Sequence, residues 1–508
     1  MLELFTLGIG EIMQLQILIL ILIGVVVGIV AGLIPGFTVT MAIVLTLPFT
    51  FGMEPITGIA TMMGVFVGGM SGGLISAALL GIPGTPSAIA TTFDAYPLAQ
   101  KGRPGEALSI GIWASFFGSL VSMFVLITIA PQVARMALRF GPWEMFSLIV
   151  FSLTIIASVT GDSVLKGLIA GLFGLLIATV GADPIGGFSR YSFGIRALRA
   201  GVPFLVVLIG MFAVSRLLNE FELKKLKKSG DEKKIETQDF RLYPLKTLKI
   251  VLSRPVNLVR SSMIGTLIGA IPGAGGSIAN VVAYDQAKKW SKNPEEFGTG
   301  CYDGIVASES GNNSTVGGAL IPTIALGIPG GAVTAVMLSA LMVHGVSPGP
   351  LLIGNEPALV GSIFIAFGVA TVWMAATQFA GIKLFMKITT VPIYFLAPAI
   401  LALCAIGTFI LNNRLVDLYF LIIMGIIGYL LSKHNFALAP AIIGVILGPI
   451  AEVNLRRAVM RDPEWTLFFT RPISLAFLVL AVASVGFTIW QTKKTKERKK
   501  ANEEAQNA

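Results

Sequence analysis

Eleven apolar stretches separated by short polar ones run along the chain, near 13–34, 56–82, 107–130, 142–160, 164–181, 202–218, 357–381, 392–411, 414–432, 436–452 and 472–490. Each is close to the roughly 20 residues that a helix needs to cross a hydrocarbon core. The pattern predicts an all-α polytopic membrane protein. The opening MLELFTLGIGEIMQLQ contains no Lys or Arg and so lacks the basic n-region of a cleavable signal peptide. Residues 13–34 are therefore expected to remain as a first membrane helix.

The apolar runs are interrupted four times by the same three residues. Ile-Pro-Gly closes GLIPG at 32–36, GIPG at 81–84, GAIPG at 269–273 and GIPG at 327–330. GLIPG pairs with GAIPG, and GGLISAALLGIPG at 72–84 pairs with GGALIPTIALGIPG at 317–330. The chain thus reads as two similar halves: a first membrane repeat over 1–218, a basic linker over 219–255, a second repeat over 256–491 and a basic tail over 492–508. Internal duplication is a recurrent plan of secondary transporters.

Loop charge suggests that the repeats are inverted. Nothing before Lys101 is basic, whereas the second half comes after the Lys-rich linker; basic loops mark the cytoplasmic side. LAQKGRPGEA carries Lys101 and Arg103, while the matching GVSPGPLLIGNEPA at 345–358 has no positive charge. DQAKKWSKNPEEFGTG carries Lys288, Lys289 and Lys292 where the first half has only FGMEP. Both ends of 256–290 then lie on the cytoplasmic side, as a re-entrant hairpin with Pro272-Gly273 at its tip requires. NLRRAVMRDPEWTLFFTRP at 454–472, with four Arg, reads as a loop that conflicts with a cytoplasmic tail.

Composition agrees with lipid as the solvent. Of 508 residues 55% are hydrophobic and 13% charged, against about 25% charged in soluble domains. The net charge of +10 sits mainly in the linker and in KKTKERKK at 493–500, so nucleic acid is not an expected partner. Cys301 and Cys404 have no metal-ligand spacing, and no cofactor is expected. GAGGSI at 273–278 opens no soluble strand–helix unit and lacks the Lys-Ser/Thr ending of a nucleotide loop.

Proline removes a backbone donor and glycine frees the backbone, so each Ile-Pro-Gly should end or unwind a helix. Inside a bilayer the freed polar groups need partners, and these can be substrate or ions. Helix starts are expected after each break, placing Pro35, Gly36 and Thr38; Gly84, Thr85 and Ser87; Gly273, Gly275, Gly276 and Ser277; and Gly330, Gly331 and Thr334 as substrate-binding candidates. Thr85 is read as an N-cap before Pro86. Such ends suit a carboxylate, which residues 1–100 could not meet with a cation because they contain no Lys or Arg.

CYDGIVASESGNNSTVGG at 301–318 crowds Glu309, Ser310, Asn312, Asn313, Ser314 and Thr315 into an apolar run. Oxygen-rich side chains beside unwound carbonyls suit a hard cation, so Glu309, Ser310, Asn312, Asn313 and Ser314 are cation-binding candidates, with sodium at Asn312, Asn313 and Ser314. A structural polar patch is the alternative. Asp94 reads either as a substrate contact or as an interfacial partner of Lys101 and Arg103.

The stretches 32–55, 79–108 and 269–331 resemble the large membrane subunit of the tripartite tricarboxylate transporters. The resemblance implies a multi-pass protein of the bacterial inner membrane that works with a small membrane subunit and a periplasmic solute-binding protein, importing citrate or related carboxylates on a sodium or proton gradient without ATP. The family's glycine-proline motifs fall on Pro35-Gly36, Pro83-Gly84, Pro272-Gly273 and Pro329-Gly330, and its polar stretch on Glu309 through Ser314. TVTM after the first Pro-Gly departs from the more glycine-rich starts. An intramembrane enzyme is the runner-up. It is disfavoured because the only histidines are His344 and His434, with no His-Glu-x-x-His motif. A passive anion channel is a third reading.

Overall fold

The computed structural model describes residues 2–34, 37–159, 163–226, 241–388 and 393–507. Pro35 and Gly36 of the first break and the middle of the basic linker lie outside the described residues. The chain begins with α1 (Leu2–Ile12), α2 (Leu15–Leu33), α3 (Val39–Thr50), α4 (Pro55–Leu80), a 3-10 turn at Pro86–Ala88, α5 (Thr91–Gln100) and α6 (Pro104–Ala137). Then come α7 (Pro142–Val159), α8 (Val164–Ala178), a two-stranded hairpin of β1 (Gly181–Ala182) and β2 (Ser189–Arg190), α9 (Arg196–Arg199), α10 (Phe204–Ile209) and α11 (Ser215–Leu226). The second half continues through α12 (Pro244–Leu252), α13 (Pro255–Ala270), α14 (Gly275–Lys289), α15 (Tyr302–Leu326), α16 (Ala332–Val343), α17 (Leu352–Asn355) and α18 (Pro357–Ile388). It closes with α19 (Ile393–Asn412), α20 (Leu415–Lys433), α21 (Leu438–Arg461), α22 (Leu467–Thr470) and α23 (Pro472–Asn507).

The fold is all-α and polytopic. Among the described residues seven helices are long and apolar enough to cross a membrane: α2, α4, α6, α18, α20, α21 and the first part of α23. The stretches near 142–160, 164–181 and 202–218 form shorter apolar helices. One expectation fails locally: residues 454–461 are not loop, because α21 runs on to Arg461. Arg456 keeps the helix satisfied beyond the apolar run, reaching Glu452 one turn back at 3.7 Å and Asp183 at 2.5 Å.

Residues 1–138 and 212–414 form one compact unit, and residues 139–211 and 415–508 form another. Each draws on both halves of the sequence. In the first unit two helices are buried along nearly their whole length, α4 from the first half and α15 from the second. Both end on a left-handed glycine, Gly81 at φ 67° and Gly327 at φ 70°, a conformation that costs a residue with a Cβ far more. These are the first residues of the two GIPG motifs, so the motif is at once helix stop and chain break.

The halves repeat their packing as well as their order. α2 packs on α4 as α13 packs on α15, while the long third helix crosses over: α6 of the first half packs on α15 and α18 of the second on α4. α13 and α14 also pack together across Ile271–Ala274, a helical hairpin bent at Pro272-Gly273. Backbones approach closely because small residues face each other. A Cβ on Gly28 would strike the Val65 carbonyl and the Gly69 amide, and one on Gly118 the backbone of Ser310.

In the second unit α8 packs on α21 and α7 on α23. Arg471 joins the last helix to α7, with its Nε 2.5 Å from Glu144 Oε1 and its guanidinium 4.8 Å from the Trp143 ring. The hairpin is clamped to α21 by Arg456 on Asp183 and by both terminal guanidinium nitrogens of Arg190 on Glu452, at 2.6 and 3.0 Å. The Ile185 N–H and the Arg456 guanidinium hold the Asp183 carboxyl below the ordinary carboxylate range. The clamp is therefore fully present at neutral pH and is lost as pH falls through that depressed value.

Replacing Gly28 by Val should destabilise the protein by about 1–3 kcal/mol, because the obstruction is backbone that cannot move aside. Gly10→Ala, where nothing lies within 4 Å of the added carbon, should leave thermal unfolding in detergent almost unchanged.

Candidate functional site

The sequence after each break forms a helix start of a different kind. Thr38 caps α3, its Oγ1 accepting from the Met41 N–H at 3.2 Å. Thr85 has the extended backbone of an N-cap before Pro86, but it opens only a 3-10 turn and its hydroxyl does not cap. That hydroxyl lies 3.0 Å from the Ser87 hydroxyl instead. α14 begins at Gly275 and α16 at Ala332, where the Thr334 hydroxyl accepts from the Gly331 N–H at 3.0 Å.

Tertiary packing brings two of the breaks together. The Gly273 N–H donates to the Gly330 carbonyl at 2.8 Å, which joins the third break to the fourth, while Gly84 of the second lies against the Gly32 carbonyl in the last turn of α2. A Cβ on Gly276 would meet Met70 at 2.8 Å, Ser87 at 2.9 Å and Asn312 Oδ1 at 3.0 Å. Thr85, Ser87, Gly276 and Asn312 thus meet where α4, α14, α15 and the 3-10 turn converge. Ser277, next along α14, is half-buried.

The polar stretch of α15 does not form one cluster. Helix continues unbroken through 308–315, so the unwound carbonyls expected there are absent, and consecutive side chains face different neighbours. Asn312 donates to the Met70 carbonyl on α4 at 2.8 Å, and its Oδ1 has no hydrogen-bond partner among the described residues. Asn313 points the other way, to Ser115 of α6 at 2.8 Å, and its Oδ1 is likewise unpartnered. Ser314 donates to its own helix at Gly311 and packs on Gly265 of α13, while Ser310 turns back to Ala307 at 3.5 Å. Asn312, Asn313 and Ser314 therefore do not converge on one point.

Glu309 is wholly buried and shares the Asn313 side. It accepts from Thr91 Oγ1 at 2.6 Å, Ser115 Oγ at 2.9 Å and Asn313 Nδ2 at 3.3 Å. All three donors are neutral. Two groups of oxygens result: Asn312 Oδ1 beside the helix breaks, and Glu309 with Asn313 Oδ1 between α15, α5 and α6. Either offers hard oxygen ligands of the kind a cation such as sodium takes.

Asp94 contacts neither Lys101 nor Arg103. It is buried, and its Oδ1 accepts from the N–H groups of Gly298, Gly300 and Cys301 at 2.9, 2.8 and 2.7 Å, with Tyr284 donating to Oδ2 at 2.8 Å. The carboxylate pins the turn before α15 onto α5, which makes it a structural anchor. Lys101 instead donates to the Thr299 carbonyl, and Arg103 pairs with Glu106 and Tyr302.

Sequence reasoning passed over Asn280, Thr91 and Ser115. Asn280 accepts from the Ala90 N–H at 2.6 Å and donates to the Ser308 carbonyl at 3.0 Å, tying α14 to both halves. A signal for Ser115 existed: Ser115, Ser119 and Ser122 recur at helical spacing on α6, the face that meets α15. Asn280 and Thr91 left no pattern.

Buried, charge-poor chain breaks gathered between packed membrane helices are the architecture of a membrane transporter. The chain belongs to the tripartite tricarboxylate transporter TctA family, whose model matches residues 18–443, a family of transporters and not of enzymes. It is 33% identical over 465 residues to the "Uncharacterized 52.8 kDa protein in TAR-I ttuC' 3'region" of Agrobacterium vitis, covering 91% of this chain and 90% of that protein. It is 36% identical over 222 residues to the "Uncharacterized protein in TAR-II ttuC' 3'region" of the same organism, 44% of this chain and 92% of that protein. No solved structure matches the chain.

Truncating the buried Asp94 to Ala should cost about 3 kcal/mol, since three N–H groups of the 298–301 turn lose a charged acceptor together. Asp94→Asn keeps a carbonyl acceptor and should cost less. Thermal unfolding and protease nicking within 297–301 would show both.

Proposed function

We propose that the chain is the large membrane subunit of a binding-protein-dependent secondary transporter that imports carboxylates, citrate or a related di- or tricarboxylate, on a sodium or proton gradient. The observation that carries the reading is the unpartnered Asn312 Oδ1, set beside Ser87 and Gly276 where helix breaks from both halves meet. A cation there would neutralise part of an anionic substrate, and the start of α14 and the Thr85 and Ser87 hydroxyls would hold a carboxylate without any Lys or Arg. Gly331 and Thr334 would contribute from the start of α16.

Glu309 supports gradient coupling. A buried carboxylate met only by neutral donors favours a bound cation or a proton, and the nearby Asn313 Oδ1 inclines the choice toward sodium. The crossed packing of α6 on α15 and of α18 on α4 supports inverted repeats, which can exchange roles between two access states. Family membership supports a small membrane subunit and a periplasmic solute-binding protein as partners, and the bacterial inner membrane as the location.

The test is citrate uptake into proteoliposomes holding this chain and its small membrane partner, with the binding protein outside, under an imposed sodium or proton gradient. Accumulation driven by sodium is expected. Asn312→Ala should weaken the apparent sodium affinity about tenfold or more, the equivalent of one lost ligand at about 1.4 kcal/mol. Equilibration without accumulation would instead indicate a passive channel, and accumulation driven only by protons would remove sodium from the reading.

A further inference from the structure

The connection between α8 and α10 has a surface that transport chemistry does not use. Its two strands form a hairpin, paired Gly181 to Arg190 and Ala182 to Ser189. Asp183 folds the turn by accepting from the Ile185 and Gly186 N–H groups, both at 3.1 Å, and the ion pairs to Glu452 and Arg456 fix the hairpin on the end of α21. This is a built element and not a slack loop.

What it presents outward is apolar and aromatic. Phe188 is 74% exposed, Tyr191 54% and Phe193 83%, with Ile185 and Ile195 also exposed. Tyr191 and Phe193 sit at φ 50° and 46°, a left-handed backbone that bulky side chains rarely adopt. The local fold thus holds both rings outward at a conformational cost. Strain of this kind persists where the surroundings over-determine it, and it gathers at functional positions.

Charge narrows the occupant. Asp183 and Arg190 are neutralised within the clamp, which leaves Arg196 and Arg199, exposed on the short helix α9, as the only other charged residues between 181 and 203. The segment begins where the apolar helix α8 ends and finishes where the apolar α10 begins. Rings and isoleucines beside exposed arginines, at the ends of two apolar helices, match the headgroup layer of a bilayer, where aromatic side chains bridge apolar and wet surroundings and arginine meets phosphate.

We propose that the 181–199 hairpin lies in the headgroup layer and binds an anionic phospholipid, with Arg196 and Arg199 on the phosphate and Phe188, Tyr191 and Phe193 among the upper acyl carbons. The clamp on α21 then fixes this unit against the membrane surface. An acidic protein surface would satisfy the arginines but would leave the outward rings at the helix ends without a reason.

The full-length chain would be placed in nanodiscs of phosphatidylcholine containing one quarter phosphatidylglycerol, and the lipid that stays bound after detergent extraction counted by native mass spectrometry. Wild type should retain phosphatidylglycerol in preference to phosphatidylcholine. The double variant Arg196→Gln, Arg199→Gln should retain about thirtyfold less, the equivalent of two arginines at about 1 kcal/mol each at an anionic surface. In parallel, a nitroxide on Phe193→Cys, with Cys301→Ser to remove the accessible thiol, should be relaxed by oxygen and shielded from a water-soluble nickel chelate. Unchanged phosphatidylglycerol retention in a double variant that unfolds at the wild-type temperature would overturn the proposal. So would a nitroxide freely reached by the nickel chelate, or one shielded only after the small membrane subunit is added, which would make this a protein-docking surface.

Discussion

A backbone group freed inside a membrane must find a partner, and the first unit is arranged around that requirement. α4 and α15 are buried along nearly their whole length and stop at Gly81 and Gly327. At two matching breaks one freed group meets another, the Gly273 amide donating to the Gly330 carbonyl at 2.8 Å, while Gly84 packs directly on the Gly32 backbone of α2. Prolines and glycines that would disrupt an isolated helix are tolerated where the surrounding chain supplies such partners.

Small side chains make this possible. Glycines on α2, α6 and α13 let these helices approach α4 and α15 until backbone meets backbone. With little room left, nearly every buried polar group at the centre is locked to a named partner, as Asn280 is to Ala90 and Ser308, and Asp94 to the 298–301 turn. Against that background, as for Gln378 Oε1 on α18 and the Ser119 hydroxyl on α6, no partner among the described residues meets Asn312 Oδ1 or Asn313 Oδ1, exceptions of the sort that call for an explanation such as a ligand. They lie on opposite sides of α15, one facing the breaks and the other beside Glu309. A shift of α15 would therefore change the surroundings of both oxygens at once.

Much of the fold was legible because membrane helices announce themselves by length and hydrophobicity, and because Ile-Pro-Gly has a local effect that does not depend on surroundings. The polar stretch at 308–315 was also visible, since polar residues in an apolar run stand out. Its geometry was not. Asn312, Asn313 and Ser314 are adjacent in sequence and were expected to share an ion, but successive residues on an unbroken helix diverge by about 100°, and they face α4, α6 and α13. Asp94 misled for the opposite reason: its neighbours in sequence are Lys101 and Arg103, yet its hydrogen bonds come from residues about two hundred positions away. The extension of α21 to Arg461 shows the same limit, because its arginines are held by partners such as Asp183 that no local pattern reveals.

The sequence by itself determined the membrane class and positions where helices must stop, since these follow from hydropathy and from the covalent geometry of proline and glycine. Only the tertiary structure decided which breaks meet, which polar atoms are left without partners and which carboxylates serve as anchors. Those outcomes depend on hydrogen bonds between residues far apart in the chain, and direction in space is not written in the spacing of residues along it.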